Sequence, residues 1–138
     1  MIDLGTLGGT NSSASGVSDN GTVVVGSSEF AIGNGNTHAF RWVNGAITDL
    51  GTMGGTNSTA RAVSADGLFV TGTSQVPGDG PFHGYRWAGG VVTDLGNRGG
   101  TASVIVGGIS ADGSAITGTS YIAGNVAQHA FRWSGGVM

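Results

Sequence analysis

Apolar and polar positions alternate along most of this chain with a period of two residues, the spacing of a β-strand that buries one face. Residues 22–28 and 68–74 are rich in β-branched and aromatic side chains, which strands favour. No window of eleven residues carries an apolar stripe at helical spacing, and glycine recurs too often to permit one. The pattern predicts an all-β protein.

The alternation is organised in units that repeat. An Asp-Leu-Gly motif occurs three times, at spacings of 46 and 45 residues, and its copies begin at Asp3, Asp49 and Asp94. A motif with His first and Arg-Trp last runs in phase with it, and its copies begin at His38, His83 and His129. Such self-similarity is typical of small units that bury their apolar faces by stacking. We predict a single repeat domain over residues 1–138, with units starting near the three Asp residues.

Turn signals divide each unit into four short strands, at about 12–18, 22–28, 37–43 and 46–50 in the first. Two sets of dipeptides predict two-residue type I′ hairpins. The first set is Asn20-Gly21, Asp66-Gly67 and Asp112-Gly113, and the second is Asn44-Gly45, Gly89-Gly90 and Gly135-Gly136. Looser links are expected at 29–36, 75–82 and 121–128.

Four antiparallel strands in about 45 residues are typical of a β-propeller blade. A β-solenoid is the main alternative, but its coils are usually nearer 20–30 residues and are not built from hairpins. We therefore predict a β-propeller with three four-stranded blades per chain.

The hairpin at Asn44-Gly45 sets a register in which Phe40 faces Asp49, and Asp49 lies diagonal to both His38 and Trp42. A hydrogen bond from the imidazole or the indole to this carboxylate would satisfy polar groups between stacked blades. A catalytic base or a metal ligand is the alternative, but threefold recurrence favours a structural role. The predicted structural network is Asp3, His38, Trp42, Asp49, His83, Trp87, Asp94, His129 and Trp133.

Composition excludes several classes of protein. The chain has 29 glycines at fixed repeat positions and no Gly-X-Y period, which excludes collagen. Only 9% of residues are charged and the net charge is −3, so a nucleic-acid partner is not expected. There is no cysteine, which excludes disulfides and thiolate metal sites. No apolar run reaches the roughly 18 residues of a membrane span, and we expect no membrane insertion.

The motifs resemble those of the HAF-repeat family of bacterial extracellular proteins, named for the His-Ala-Phe found here at 38–40 and 129–131. Residues 3–42 match the family pattern nearly in full. Departures occur at Gly84-Tyr85, at Asn97-Arg98 and in residues 102–106, a segment one residue longer than its counterparts. The resemblance implies a secreted or cell-surface protein with no established biochemical activity.

Candidate chemistry outside the repeat is sparse. The ionisable residues there are Asp19, Glu29, Arg61, Asp79 and Arg98, which form no persuasive acid–base pair. The repeated arginines are similar to the arginine triad of sialidases, but the Asp-box spacing is absent; they are Arg41, Arg86 and Arg132. Calcium at Asp19-Asn20-Gly21 is a weaker alternative to a simple turn. We predict no catalytic residue, metal or cofactor, and a glycoside hydrolase is the least favoured function.

Aromatic side chains on the variable links are the best candidates for ligand contacts. Phe30, Phe82 and Tyr121 fall at one rim of the predicted disc, where sugar rings or peptide surfaces could bind. The alternative is that they cover blade edges. We predict a non-enzymatic structural or adhesion-type binding module, with a lectin-like propeller as the alternative.

Three blades cannot close a ring, since propellers usually have about four to eight. Two chains would give six blades and three chains nine, so a homodimer is expected. Residues 1–9 of one chain would supply the outermost strand of the partner's last blade, beside residues 131–137. The chain also starts within a repeat, which is expected of an excerpt from a longer array.

Overall fold

The computed structural model describes residues 1–31 and 33–138, which form eleven β-strands and one short 3-10 helix at Ala123–Asn125. Ile32, in the predicted link 29–36, lies outside the described residues. The first unit contains β1 (Ser12–Val17), β2 (Val23–Glu29), β3 (Thr37–Val43) and β4 (Ala46–Gly51). The second contains β5 (Ser58–Val63), β6 (Phe69–Gln75), β7 (Phe82–Ala88) and β8 (Val91–Asp94). The third contains β9 (Ile105–Ile109), β10 (Ala115–Tyr121) and β11 (Gln128–Ser134).

Each unit forms one antiparallel sheet whose strands pair in chain order. The first two sheets have four strands, and the third has three within the described residues. The all-β prediction is therefore confirmed, and the four strands predicted for each blade occur in the first two sheets.

The hairpin between β3 and β4 has the predicted register. Phe40 pairs with Asp49 and Trp42 with Ile47. Asn44 and Gly45 both have positive φ, 49° and 90°, as a type I′ turn requires. Gly89 and Gly90 repeat this conformation, with φ of 57° and 92°.

The predicted type I′ turn at Asn20-Gly21 is wrong, and so are those at Asp66-Gly67 and Asp112-Gly113. Only the glycine of each pair has positive φ. The loop is longer than two residues, because Gly21 N–H donates to Ser18 O and Ser18 N–H donates to Val23 O, both at 2.9 Å. Asn20 Oδ1 accepts the Thr22 N–H at 3.0 Å, and this local bond replaces the tight two-residue turn.

The first strand of each sheet, called here the inner strand, makes the contacts between sheets. Strand β5 contacts β1, β2 and β3, while β9 contacts β5, β6 and β7. One apolar cluster spans the first two sheets and comprises Val23, Val25, Ala39, Leu50, Ala60, Val70 and Tyr85. A second belongs to the third sheet and the segments leading into it, and comprises Leu95, Val104, Val106, Ile116, Phe131 and Trp133.

Tyr85 is the polar exception in the first cluster. Its hydroxyl donates to Thr59 O at 3.1 Å, and burial raises the pKa of Tyr85 well above the usual range. The phenol therefore stays protonated and remains a hydrogen-bond donor within the core.

Candidate functional site

The repeated His and Asp residues meet within a sheet. His38 Nδ1 lies 2.8 Å from Asp49 Oδ2, and Asp49 Oδ1 accepts the Gly51 N–H at 2.7 Å. In the second unit, His83 Nδ1 lies 3.0 Å from Asp94 Oδ2. Each pair joins two adjacent strands of one blade, so its hydrogen bonds do not run between blades.

The repeated tryptophans have other contacts. Throughout residues 1–31 and 33–138, the indoles donate no hydrogen bond to these carboxylates. Trp87 packs against the first apolar cluster, and Trp133 is buried in the second. Of the two donors considered for the carboxylate, the structure uses the imidazole.

The remaining members of the repeated set lie apart from each other. His129 lies on β11, where it pairs with Ser120 of β10, and it is exposed. Asp3 precedes the first sheet and accepts the Gly5 N–H at 3.0 Å. Within the described part of this chain, His129 and Asp3 form no pair like the other two.

The repeated arginines join neighbouring sheets. Arg41 donates through Nε and Nη2 to Gly67 O, at 3.2 and 2.9 Å, and its guanidinium lies 5.7 Å from the Trp87 ring centroid. Arg86 Nε donates to Gly113 O at 2.9 Å, and its guanidinium lies 4.0 Å from the Phe69 ring centroid. Sequence reasoning compared these arginines only with a catalytic triad. The feature of the sequence that could have indicated this contact is the nearly constant spacing from the motif Arg to the turn glycine of the next unit, 26 residues for Arg41 and 27 for Arg86.

The nonrepeating acids hold the segments that enter the first strand of a unit. Glu29 Oε2 accepts the Thr10 and Asn11 N–H groups at 2.8 and 3.1 Å. The Asn11 side chain and these two backbone bonds lower the pKa of Glu29. In the second unit, Asp79 Oδ1 accepts the Thr56 N–H at 2.8 Å. Both acids therefore have a local structural partner.

The acids of the β5–β6 and β9–β10 turns also have partners. Hydrogen bonds from the Ser110 side chain and from Ser114 lower the pKa of Asp112 to about 2. The Ser64 hydroxyl and Leu68 N–H lower the pKa of Asp66. Asn20 is their counterpart, and its oxygen accepts the Ser18 hydroxyl at 2.8 Å.

Metal-binding geometry is not formed by the residues that the structure describes. No group of three or more His, Cys, Asp or Glu side chains is placed to hold an ion there. In the calcium candidate, Asn20 Oδ1 accepts bonds from Ser18 and Thr22, and Asp19 N–H donates to Ala65 O at 3.1 Å. This segment is thus built as a turn that contacts the next sheet.

The three candidate aromatic residues lie at equivalent ends of different sheets. Phe30 follows β2, is 46% exposed and stacks on His38 with ring centroids 4.4 Å apart. Phe82 begins β7, and Tyr121 ends β10; both are half-buried. The structure separates them onto three blades and does not bring them together in one site.

Phe82 lines a cleft of about 330 Å³ between the second and third sheets. The polar side chains of its wall are Thr59, Arg61, Thr73 and Ser103, and the apolar ones are Phe82, Val104, Ile105 and Val106. Sequence reasoning missed this cleft. The feature of the sequence that could have indicated the cleft is the extra residue in segment 102–106, because this segment forms one wall.

Within the described residues, helical structure is too short to provide a membrane-spanning apolar helix.

Solved structures similar to this chain include two TolB proteins. The crystal structure of TolB from Acinetobacter baumannii aligns with a TM-score of 0.65 and 20% identity, over 90% of this chain and 30% of that chain. Putative TolB from Agrobacterium tumefaciens aligns with a TM-score of 0.67 and 15% identity, over 93% of this chain and 47% of that chain. No family model and no curated protein matches this sequence.

These similarities show a propeller-like fold. At identities of 20% and 15%, the similarity concerns the fold alone. This chain spans 30% and 47% of the two TolB chains, less than half of either.

Proposed function

We propose that this chain is a non-enzymatic β-propeller module that serves a structural or binding role on a secreted or cell-surface protein. The observation that carries this proposal is that ionisable side chains of the chain form hydrogen bonds within and between its own blades. The described hydrogen bonds of Glu29, Arg41, Asp49, Arg86 and Asp94 run to groups of the blades themselves. At the ends of the sheets, Phe30 is 46% exposed, and Phe82 and Tyr121 are half-buried, so these aromatic side chains remain at the surface.

The extracellular assignment is supported by the resemblance to HAF repeats. Several motifs keep their mutual spacing through the chain, and all three His-x-x-Arg-Trp copies are placed on the third strand of a sheet. The absence of cysteine is compatible with an oxidising compartment, since no free thiol can be mispaired.

A glycan or protein surface is the proposed ligand of this module. A glycan array, with a protein array beside it, tests the binding role. We expect a ligand whose binding is lost in Phe82→Ala or Tyr121→Ala while the melting temperature is unchanged. Leu68→Ala is the matched control, because Leu68 is 57% exposed but lies at the opposite end of the sheet. Equal losses in all three variants, or no ligand on either array, would contradict a binding role at this rim and favour a structural spacer.

We further propose that two chains associate to close a six-bladed ring. In the first two sheets, the strand after the His motif carries the Asp partner of that His. The Asp3 copy could supply the corresponding strand to β11 of a second chain, and Asp3 would then meet His129 of the partner. Edge pairing of this kind satisfies the open backbone groups of an outer strand.

A further inference from the structure

We propose that the cleft between the second and third sheets binds a carboxylate-bearing sugar, with Arg61 pairing with the carboxylate and Phe82 contacting the sugar ring. This inference rests on the proposed binding function and names the ligand class and the site. The observation behind this inference is a single position of the inner strand, which has the same backbone geometry in every blade but a different side chain in each.

The shared geometry is a β-bulge in the inner strand. Pairing shifts by one residue between Ala14 and Gly16 in β1, and between Ala60 and Ala62 in β5. The extra residues are Ser15 and Arg61, and the corresponding extra residue in β9 is Gly107. A bulge leaves its extra residue unpaired and re-aims the side chain, and bulges are common beside functional sites.

In the first blade, this residue closes the gap to the next sheet. Ser15 Oγ donates to Ala60 O on β5 at 2.6 Å. The small side chain thus joins two inner strands directly, as expected of a purely structural position.

In the second blade, Arg61 occupies this position and is exposed on the wall of the cleft. The opposite wall is the longer segment of the third unit. It is anchored where Val104 N–H donates to Phe82 O at 2.7 Å and Phe82 N–H donates to Ser103 Oγ at 3.1 Å. The anchored wall and the long Arg61 side chain therefore line an open cleft, whereas Ser15 of the first blade bonds directly to the next sheet.

The size and lining of the cleft suit a small sugar. A volume of about 330 Å³ lies at the lower end of the range of small-molecule pockets. Phe82 and the 51% exposed Ile105 provide apolar surface for the C–H face of a ring. The hydroxyls of Thr59 and Thr73 lie 3.2 Å apart and can exchange hydrogen bonds with ring hydroxyls.

Arg61 selects an acidic member of this class. A guanidinium is planar and binds a carboxylate through two parallel N–H···O bonds. Arg41 and Arg86 donate to backbone carbonyls of the next sheet, whereas Arg61 lies at the cleft itself. A neutral sugar would leave this charge without its matching group.

The test is a titration of the full chain with D-galacturonate, followed by amide chemical shifts. We expect shifts at residues 59–61 and 103–106, and an affinity at least about tenfold higher than for D-galactose. Arg61→Ser copies the residue of the first blade and should weaken galacturonate binding by about tenfold to a hundredfold. Arg98→Ser removes the same charge at another exposed position and should leave the affinity unchanged.

Equal affinity for galacturonate and galactose would overturn the role of Arg61, as would equal losses in Arg61→Ser and Arg98→Ser. Acetate that binds as tightly as galacturonate would reduce the site to a carboxylate contact and overturn the sugar assignment. An array ligand lost in Phe82→Ala but unaffected by Arg61→Ser would overturn this inference alone. Failure of galacturonate together with an empty array would overturn the proposed binding function as well.

Discussion

Each first hairpin of a unit contains a serine followed two residues later by Asn or Asp, and these side chains organise the loop. Ser18 pairs with Asn20, Ser64 with Asp66, and Ser110 with Asp112. The serine oxygen also accepts the N–H of the strand that follows, as Ser18 does for Val23 at 3.0 Å. An amide and a carboxylate therefore support the same loop, but only the carboxylate adds a dependence on pH.

We predict that Asp112 contributes to acid unfolding. Its pKa in the folded state, about 2, lies below the value of about 3.9 expected in the unfolded chain. A lowered folded pKa stabilises the fold above the unfolded pKa, and this contribution is lost as the pH falls from about 4 to about 2. Melting temperatures across this range should fall less steeply for Asp112→Asn than for the wild type. Asp19→Asn makes the same charge change beside an amide-supported loop, and an equal effect there would contradict the assignment.

We predict that Arg41 stabilises the contact between the first two sheets. Arg41→Ala removes two hydrogen bonds to Gly67 O and a guanidinium–indole contact. The expected loss is about 1–3 kcal/mol of unfolding free energy, measured by urea denaturation. Arg98→Ala, at an exposed position, should cost less than about 0.5 kcal/mol. Similar losses in the two variants would show that Arg41 acts through charge alone.

The strands themselves carry positions where only glycine fits. Gly72 lies on β6 beside the bulge of β5, and a Cβ there would lie within 1.9 Å of Thr59 O. The two backbones approach so closely here that there is no room for a side chain at Gly72. The equivalent glycines of the other two sheets, Gly26 and Gly118, lie equally close to Ser13 O and Ile105 O.

We predict that Gly72→Ala destabilises the protein by about 1–3 kcal/mol or more, because its methyl group would collide with a backbone oxygen that cannot move freely. Gly108→Ala is the matched control on strand β9, where nothing lies within 4 Å of the added carbon. That control should be neutral or slightly stabilising, since alanine restricts the unfolded chain. Chemical denaturation of both variants measures the difference, and equal stabilities would refute the steric argument.

At the scale of the molecule, equivalent contacts join the first unit to the second and the second unit to the third. Asp19 N–H donates to Ala65 O at 3.1 Å, and Ala65 N–H donates to Ala111 O at 2.9 Å. Arg41 and Arg86 add side-chain bonds with the same direction. Because each contact is made from one unit to the following one, an array of these units can be extended or closed by repeating a single interface.

We predict a dimer in solution, from the proposed pairing of Asp3 with His129 of a second chain. Light scattering should give twice the chain mass of 13.6 kDa. Asp3→Asn should weaken dimerisation by about fivefold to thirtyfold, because a ring of two chains would contain the lost bond twice. Asp19→Asn is the charge-matched control. A monomeric mass for the wild type at micromolar concentration would rule out the proposed ring.

Much of each blade was predictable from local signals. Alternation with period two and the Asn44-Gly45 turn were enough to place β3 and β4 in register, because a two-residue hairpin permits one pairing. The Asp49–His38 contact then followed from strand geometry. The loop at Asn20-Gly21 was predicted wrongly, because the same dipeptide is compatible with a longer loop when a neighbouring serine binds its side chain.

The sequence by itself determined the strands, their order in a unit and the partners that are close along the chain. Only the tertiary structure decided that Arg41 reaches Gly67, 26 residues away, and that Arg61 stands at a bulge facing a cleft. The reason is physical: hairpin contacts follow from the pleat and the turn, whereas contacts between sheets depend on how two twisted surfaces stack. The added residue lies in segment 102–106, and residues 103–106 form one wall of the cleft, an arrangement that is visible only in three dimensions.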